Sequence, residues 1–229
     1  MSGTFGHSSE RSFGVDSEHG RVTFFQRVLP VFAMMLLVSG AVTAWTIRLG
    51  YTSLVADLGL LGFLGLLAVQ VGVFYGAQAF REHYPANVVF AVTFAAFEGV
   101  FIAPIIQTYL SAGMGYLVAQ ALVITSVVFV GFAAIPLVTG KDFSYLGGAL
   151  IAAVFGIIAL SVLSYFVGFP GWVAVALDVV SIVVFSLFIL YDMSKILKGD
   201  FGAVAGAISL YIDFVVIFLS LLQLLGMQE

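Results

Sequence analysis

Cysteine is absent from this 229-residue chain. Its absence excludes disulfides, thiolate metal sites, cysteine nucleophiles and lipoprotein anchors. Charge is nearly as scarce, at 9% of residues against about a quarter in soluble domains. Histidine occurs three times, at His7, His19 and His83. Only His83 lies near an apolar run, so a zinc hydrolase with several histidines on bundle helices is excluded. The late lysines, Lys195 and Lys198, lie at the end of an apolar run rather than within one, which excludes a retinal Schiff base. The net charge of −4 and a pI near 5.2 argue against nucleic acid as a partner.

What remains is oil. Hydrophobic residues make up 62% of the chain and the mean hydropathy is +1.18. One soluble core could not hide so much apolar side chain, so lipid must be the solvent of most of the protein. Residues 1–23 differ: rich in Ser, Gly and charge, they read as a flexible cytoplasmic tail rather than a secretory signal. Metal capture by His7 and His19 has little to support it. From there to 229, apolar runs recur at about 24–46, 58–80, 86–108, 114–138, 144–167, 171–196 and 206–226. Each is long enough to span at about 1.5 Å per residue, and none has the alternation of barrel strands. The expected fold is therefore an all-α integral membrane protein, a bundle of seven transmembrane helices.

Basic residues orient it. Arg11, Arg21, Arg27, Arg81, Lys141, Lys195 and Lys198 fall on one side, and Arg48 alone on the other. The positive-inside rule then places the N-terminus in the cytoplasm and the C-terminus outside, with Trp45, Tyr51, Tyr109 and Trp172 near the outer interface. The cell membrane is the expected location.

Four carboxylates lie in or near the spans: Glu98, Asp178, Asp192 and Asp213. An ionised carboxylate at the bilayer centre costs at least about 2.5–3.5 kcal/mol, so such groups line cavities or pair internally. Asp192 taken alone is compatible with a surface residue paired to Lys195. Asp213 is not. If the glycine-punctuated "GDFGAVAG" is a turn, the last helix starts near Ala207 and Asp213 lies about 9 Å inside it. Asp192 is then at matching depth on the preceding antiparallel helix, so the two can meet. Ser209, Asp213, Ser220 and Gln223 form one helical stripe, and Asp178, Ser181 and Asp192 another. Asp178 stands about 21 Å from Asp192, so the stripes sketch a polar line from one membrane face towards the other. Asp178 merely touching outer-leaflet water is the plainer alternative. Glu98 falls near the midplane beside Gly99, which permits close helix approach. It is open to a structural hydrogen bond or a place on an ion path. Two carboxylates in contact share a proton, which makes a proton sensor.

The stretches "FSLFILYDMSKIL", "AISLYIDFVVIFLSLLQLLG" and "TFAAFEGVFIAPII" resemble the Bax-inhibitor family, the transmembrane Bax inhibitor motif proteins, in its prokaryotic type. The resemblance covers all seven spans. It implies a bundle with the last helix central and a pH-sensitive calcium leak. It also implies that an aspartate pair from helices six and seven senses protons, here Asp192 and Asp213. It further implies that an arginine ending helix two, here Arg81 in "AQAFREHYP", latches the closed state. Some bacterial relatives carry an acid midway along helix two, where this chain has Gln70, so any role of that acid does not transfer. The implied partners are the bilayer, Ca²⁺ as weakly held transported ion at Asp192 and Asp213, and protons. No cofactor, enzymatic activity or particular protein partner is implied. Asp178, Ser181, Ser209 and Glu98 are the further candidates for an ion path.

Two other functions fit the same acids. A proton-coupled cation exchanger would use them as carriers. An intramembrane aspartyl protease would use them as acid and base, but it resembles a Tyr-Asp plus Gly-x-Gly-Asp arrangement with a following Pro-Ala-Leu. Here the second aspartate stands in "YID" and the chain ends soon after.

Overall fold

The computed structural model describes residues 19–51, 72, 75–76 and 85–228. Six helices in it are long and apolar enough to cross a membrane. They are α1 (His19–Arg48), α2 (Ala86–Ser111), α3 (Gly115–Thr139), α4 (Gly147–Val167), α5 (Gly171–Lys198) and α6 (Ala203–Gly226). The protein is thus an all-helical integral membrane protein. The span expected at 58–80 falls largely outside the described residues, so the count of seven is not confirmed.

Local chemistry explains the ends. Helix α1 begins at His19, five residues before the expected 24, and winds as a π-turn over Phe24–Val28. Pro30 follows and has no N–H with which to continue the α ladder. Helix α5 ends at Lys198 because Gly199 takes the left-handed conformation at φ 77°, the usual glycine C-cap. The last helix then starts at Ala203, not near Ala207. Gly206 is fully helical, so the turn is shorter than the glycine pattern suggested.

Two compact units divide the chain. One comprises residues 26–118 and 202–211, the other residues 1–25, 119–201 and 212–229. In the first, α1 and α2 approach closely: a Cβ on Gly99 would stand 2.5 Å from the Ser39 carbonyl oxygen and 3.1 Å from Val42 Cβ. The Thr43 hydroxyl reaches the Gly99 carbonyl at 2.9 Å. This is the close approach expected at Gly99. In the second unit, Phe129 of α3 meets Phe214 of α6 edge to face, with centroids 5.7 Å apart. Of the six helices α6 is the most enclosed: 56% of its apolar window is buried, against 11–39% elsewhere. Trp45, Tyr51 and Trp172 stand exposed at helix ends.

Candidate functional site: a carboxyl pair between the last two helices

Helix α5 is apolar on its outer faces and buries a polar stripe. Asp178, Ser181 and Asp192 are all buried while Val175, Val179, Val180 and Val183 are exposed. The spacing of 14 residues, close to four turns, keeps Asp178 and Asp192 on one face. Helix α6 answers with Asp213 and Ser220, also buried. Ser209 is half-buried and Gln223 exposed, so the stripe opens towards both ends of the helix.

The two aspartates meet. The Asp213 and Asp192 carboxyls lie within hydrogen-bonding reach of one another, at 3% and 1% exposure. The surface reading of Asp192 is therefore set aside. Lys195 instead places its ammonium over the Tyr191 and Phe201 rings, 5.5 and 4.7 Å from their centroids. Ionised carboxylates only accept hydrogen bonds, so a carboxyl–carboxyl hydrogen bond contains at least one proton. Asp213 Oδ2 is buried with no hydrogen-bond partner.

Further along, Ser220 lies within hydrogen-bonding reach of Asp178. Both contacts are diagonal. Asp192 is six residues before Lys198 and Asp213 ten after Ala203, about 9 and 15 Å along their helices. The equal depth expected from a start near Ala207 thus does not hold. Asp213 lies about 6 Å further on, and Ser220 falls about 5 Å short of Asp178. The tilt of Cα–Cβ bonds towards each helix's N-terminus narrows the first gap and works against the second. Among the described residues no three His, Asp or Glu side chains gather as a metal cluster. The pair alone offers too few oxygens for a tight Ca²⁺ site.

Glu98 lies elsewhere, in the unit of α1 and α2. It is half-buried and close enough to act electrostatically on Tyr211, which is wholly enclosed and within reach of the Ser39 hydroxyl. Phe94 packs edge-on against the same ring, centroids 6.1 Å apart. Arg81 and Gln70 lie outside the described residues.

Sequence reasoning missed the connection between α3 and α4. Lys198 Nζ donates to Asp142 Oδ2 and, at 3.1 Å, to Ser144 Oγ. The Phe143 amide donates to Ser194 Oγ at 3.0 Å. Burial alone would raise the Asp142 carboxyl, but hydrogen bonds from Lys198 and Ser144 outweigh it and hold the group below its ordinary 3.8. The only signal in the sequence was "TGKDFS", a loop with charge. Gly20 also packs on this end: a Cβ there would overlap the Leu197 backbone. Arg21, Lys141, Lys195 and Lys198 are thereby brought to one end of the unit, the clustering that the positive-inside rule expects.

The family model described as "Inhibitor of apoptosis-promoting Bax1" matches residues 21–229. The modulator of FtsH protease YccA of Escherichia coli is 36% identical over 166 residues, covering 71% of this chain and 75% of that one. A Campylobacter jejuni protein is 35% identical over 163 residues, 70% of each chain. A Vibrio cholerae membrane protein is 32% identical over 199 residues, 85% of each. With its apolar helices and a match over nearly its whole length, the chain belongs to the Bax inhibitor-1 family of membrane proteins.

Proposed function

We propose that this protein is a pH-sensitive calcium leak of the cell membrane, gated by the Asp192–Asp213 pair. The observation that carries the reading is the contact of two enclosed carboxyls from consecutive helices. With one proton between them the hydrogen bond ties α5 to α6. Without it, two anions face each other. At 4 Å and an effective dielectric of 20 the interaction of two unit charges is about 4 kcal/mol. That approaches the about 5.5 kcal/mol needed to turn a two-state population from 1:99 to 99:1. Loss of the proton therefore drives the helices apart, and the freed oxygens suit a hard cation held weakly enough to pass. Arg81, with the basic end in the cytoplasm and the C-terminus outside, would hold the closed state by pairing with Asp192. Asp178, Ser181 and Ser209 continue the path along the buried stripes, and Glu98 is a further acid of the same chain.

Calcium efflux from proteoliposomes across a pH series tests this. Wild type is expected to pass more Ca²⁺ as pH rises through the titration of the pair. Asp213→Asn and Asp192→Asn should respond little to pH, since an amide keeps a hydrogen bond without titrating. Unchanged pH dependence in both variants removes the gate. An opposing proton gradient that drives the flux would indicate a proton-coupled exchanger instead.

A second reading comes from the Escherichia coli relative, named as a modulator of the FtsH protease. On that reading the helices bear on a membrane protease. Its test is the rate at which a co-reconstituted FtsH degrades a membrane substrate, with and without this protein.

A further inference from the structure

We propose that the connection between α3 and α4, residues 140–146, is a strap that clamps the end of α5 and so sets how readily Asp192 parts from Asp213. The inference deepens the gate above and rests on it.

The strap has three attachments on one face of α5. Ser194 uses its hydroxyl twice: it donates to the Leu190 carbonyl at 2.8 Å and accepts the Phe143 amide at 3.0 Å. Lys198 holds Asp142 and Ser144. Tyr191 lies against the start of α4, where a Cβ on Gly147 would stand 2.6 Å from its ring. Residues 191, 194 and 198 follow one another at helical spacing. Asp142 Oδ1 also accepts the Ser144 amide at 2.9 Å, which shapes the strap itself.

These attachments bracket Asp192. Tyr191 precedes it and Ser194 follows two residues on, so the last two turns of α5 cannot tilt without breaking one of them. A packed helix end moves as a unit rather than bending smoothly. The strap thus opposes the separation that ionisation of the pair would drive. The strap's own acid, Asp142, is held below its ordinary value by its hydrogen bonds from Lys198 and Ser144, burial notwithstanding. The charged groups beside it are Lys198, which it binds, and Lys141, its chain neighbour. The gate then has a proton-sensitive contact and a proton-insensitive restraint on the same helix.

The test uses the full chain in proteoliposomes and compares wild type, Lys198→Met, Asp142→Asn and the charge exchange Asp142→Lys with Lys198→Asp. Each single variant should raise Ca²⁺ efflux about two- to fivefold at a pH where wild type is nearly shut, the scale of one part-exposed ion pair. The efflux–pH curve should move to lower pH, and the exchange should return it towards wild type. Wild-type curves in both single variants, or an exchange that behaves like them, overturn the strap. Spin labels report on it without any flux. The chain has no cysteine, so Tyr145→Cys and Val183→Cys, both exposed, can be labelled cleanly. Lys198→Met should broaden and lengthen the label distance, and the exchange should restore it; an unchanged distance overturns the strap. Absence of Ca²⁺ efflux from wild type at every pH would defeat the leak reading, while the label distances would still decide the strap.

Discussion

Two helix contacts in this protein are built on opposite principles. Helices α1 and α2 meet through small groups and backbone: Gly99 against Ser39, with Thr43 bonded to the Gly99 carbonyl. Helices α5 and α6 meet through carboxyls, Asp192 on Asp213, with Ser220 at Asp178 further along. Lipid supplies no hydrophobic force between helices, so each contact needs close packing or hydrogen bonds. The first contact depends on volume and changes little with pH. The second, on the proposed reading, depends on a proton. A membrane protein that must move at one place and hold at another can separate the two in this way.

The comparison breaks most visibly at Gly99. Gly99→Leu would force side-chain volume into a space where even a Cβ meets the Ser39 oxygen at 2.5 Å. Overpacking of this kind costs about 1–3 kcal/mol, and backbone on the opposing side cannot yield cheaply. Thermal unfolding in detergent should show a lowered midpoint, equally at acid and neutral pH. A variant as stable as wild type would mean that the α1–α2 approach is looser than described.

Thr43→Val makes a smaller change at the same contact, removing a hydroxyl at nearly constant shape. The lost hydrogen bond to Gly99 is worth about 0.5–1.5 kcal/mol. Ser220→Ala is its counterpart on α6 and should cost a similar amount by leaving Asp178 without the serine. The two should differ in kind. Thermal unfolding should detect both, but only Ser220→Ala should alter Ca²⁺ efflux, if the buried stripe is the path. Equal efflux in both variants would separate Asp178 from conduction.

Much of this was legible in the sequence because lipid enforces a simple rule. Five of the six helices begin within about three residues of their expected starts, since an apolar run bounded by Gly, Pro or charge has few other readings. The aspartate pair was legible in part: a carboxyl inside such a run needs a partner, but the equal depth that pointed from Asp213 to Asp192 does not hold. The exact helix start at Ala203 was less legible, because Gly206 reads as a breaker although it is helical and buried. The Asp142–Lys198 contact was not legible. Its partners stand 56 residues apart, one in a loop and the other at the end of α5, and only the folded chain brings them together.

The smallest expected effect concerns that ion pair and pH. The Asp142 carboxyl is held below its ordinary 3.8 in the folded protein, burial being outweighed by hydrogen bonds from Lys198 and Ser144. A group whose folded value is depressed adds stability that is fully present above its unfolded value. That stability is lost as pH falls through the lower folded value. The strap should therefore hold unchanged from neutral pH down to about 5 and weaken only well below. Because Asp142 and Lys198 are 35% and 30% exposed, solvent screens the pair and its loss should cost less than about 1 kcal/mol. Unfolding midpoints of wild type and Asp142→Asn should thus differ slightly at pH 7, differ as much at pH 5, and converge only once pH has fallen below the ordinary 3.8. A difference that vanishes between pH 7 and 5 would make the strap itself proton-sensitive, and the separation between a titrating contact and a constant restraint would be lost.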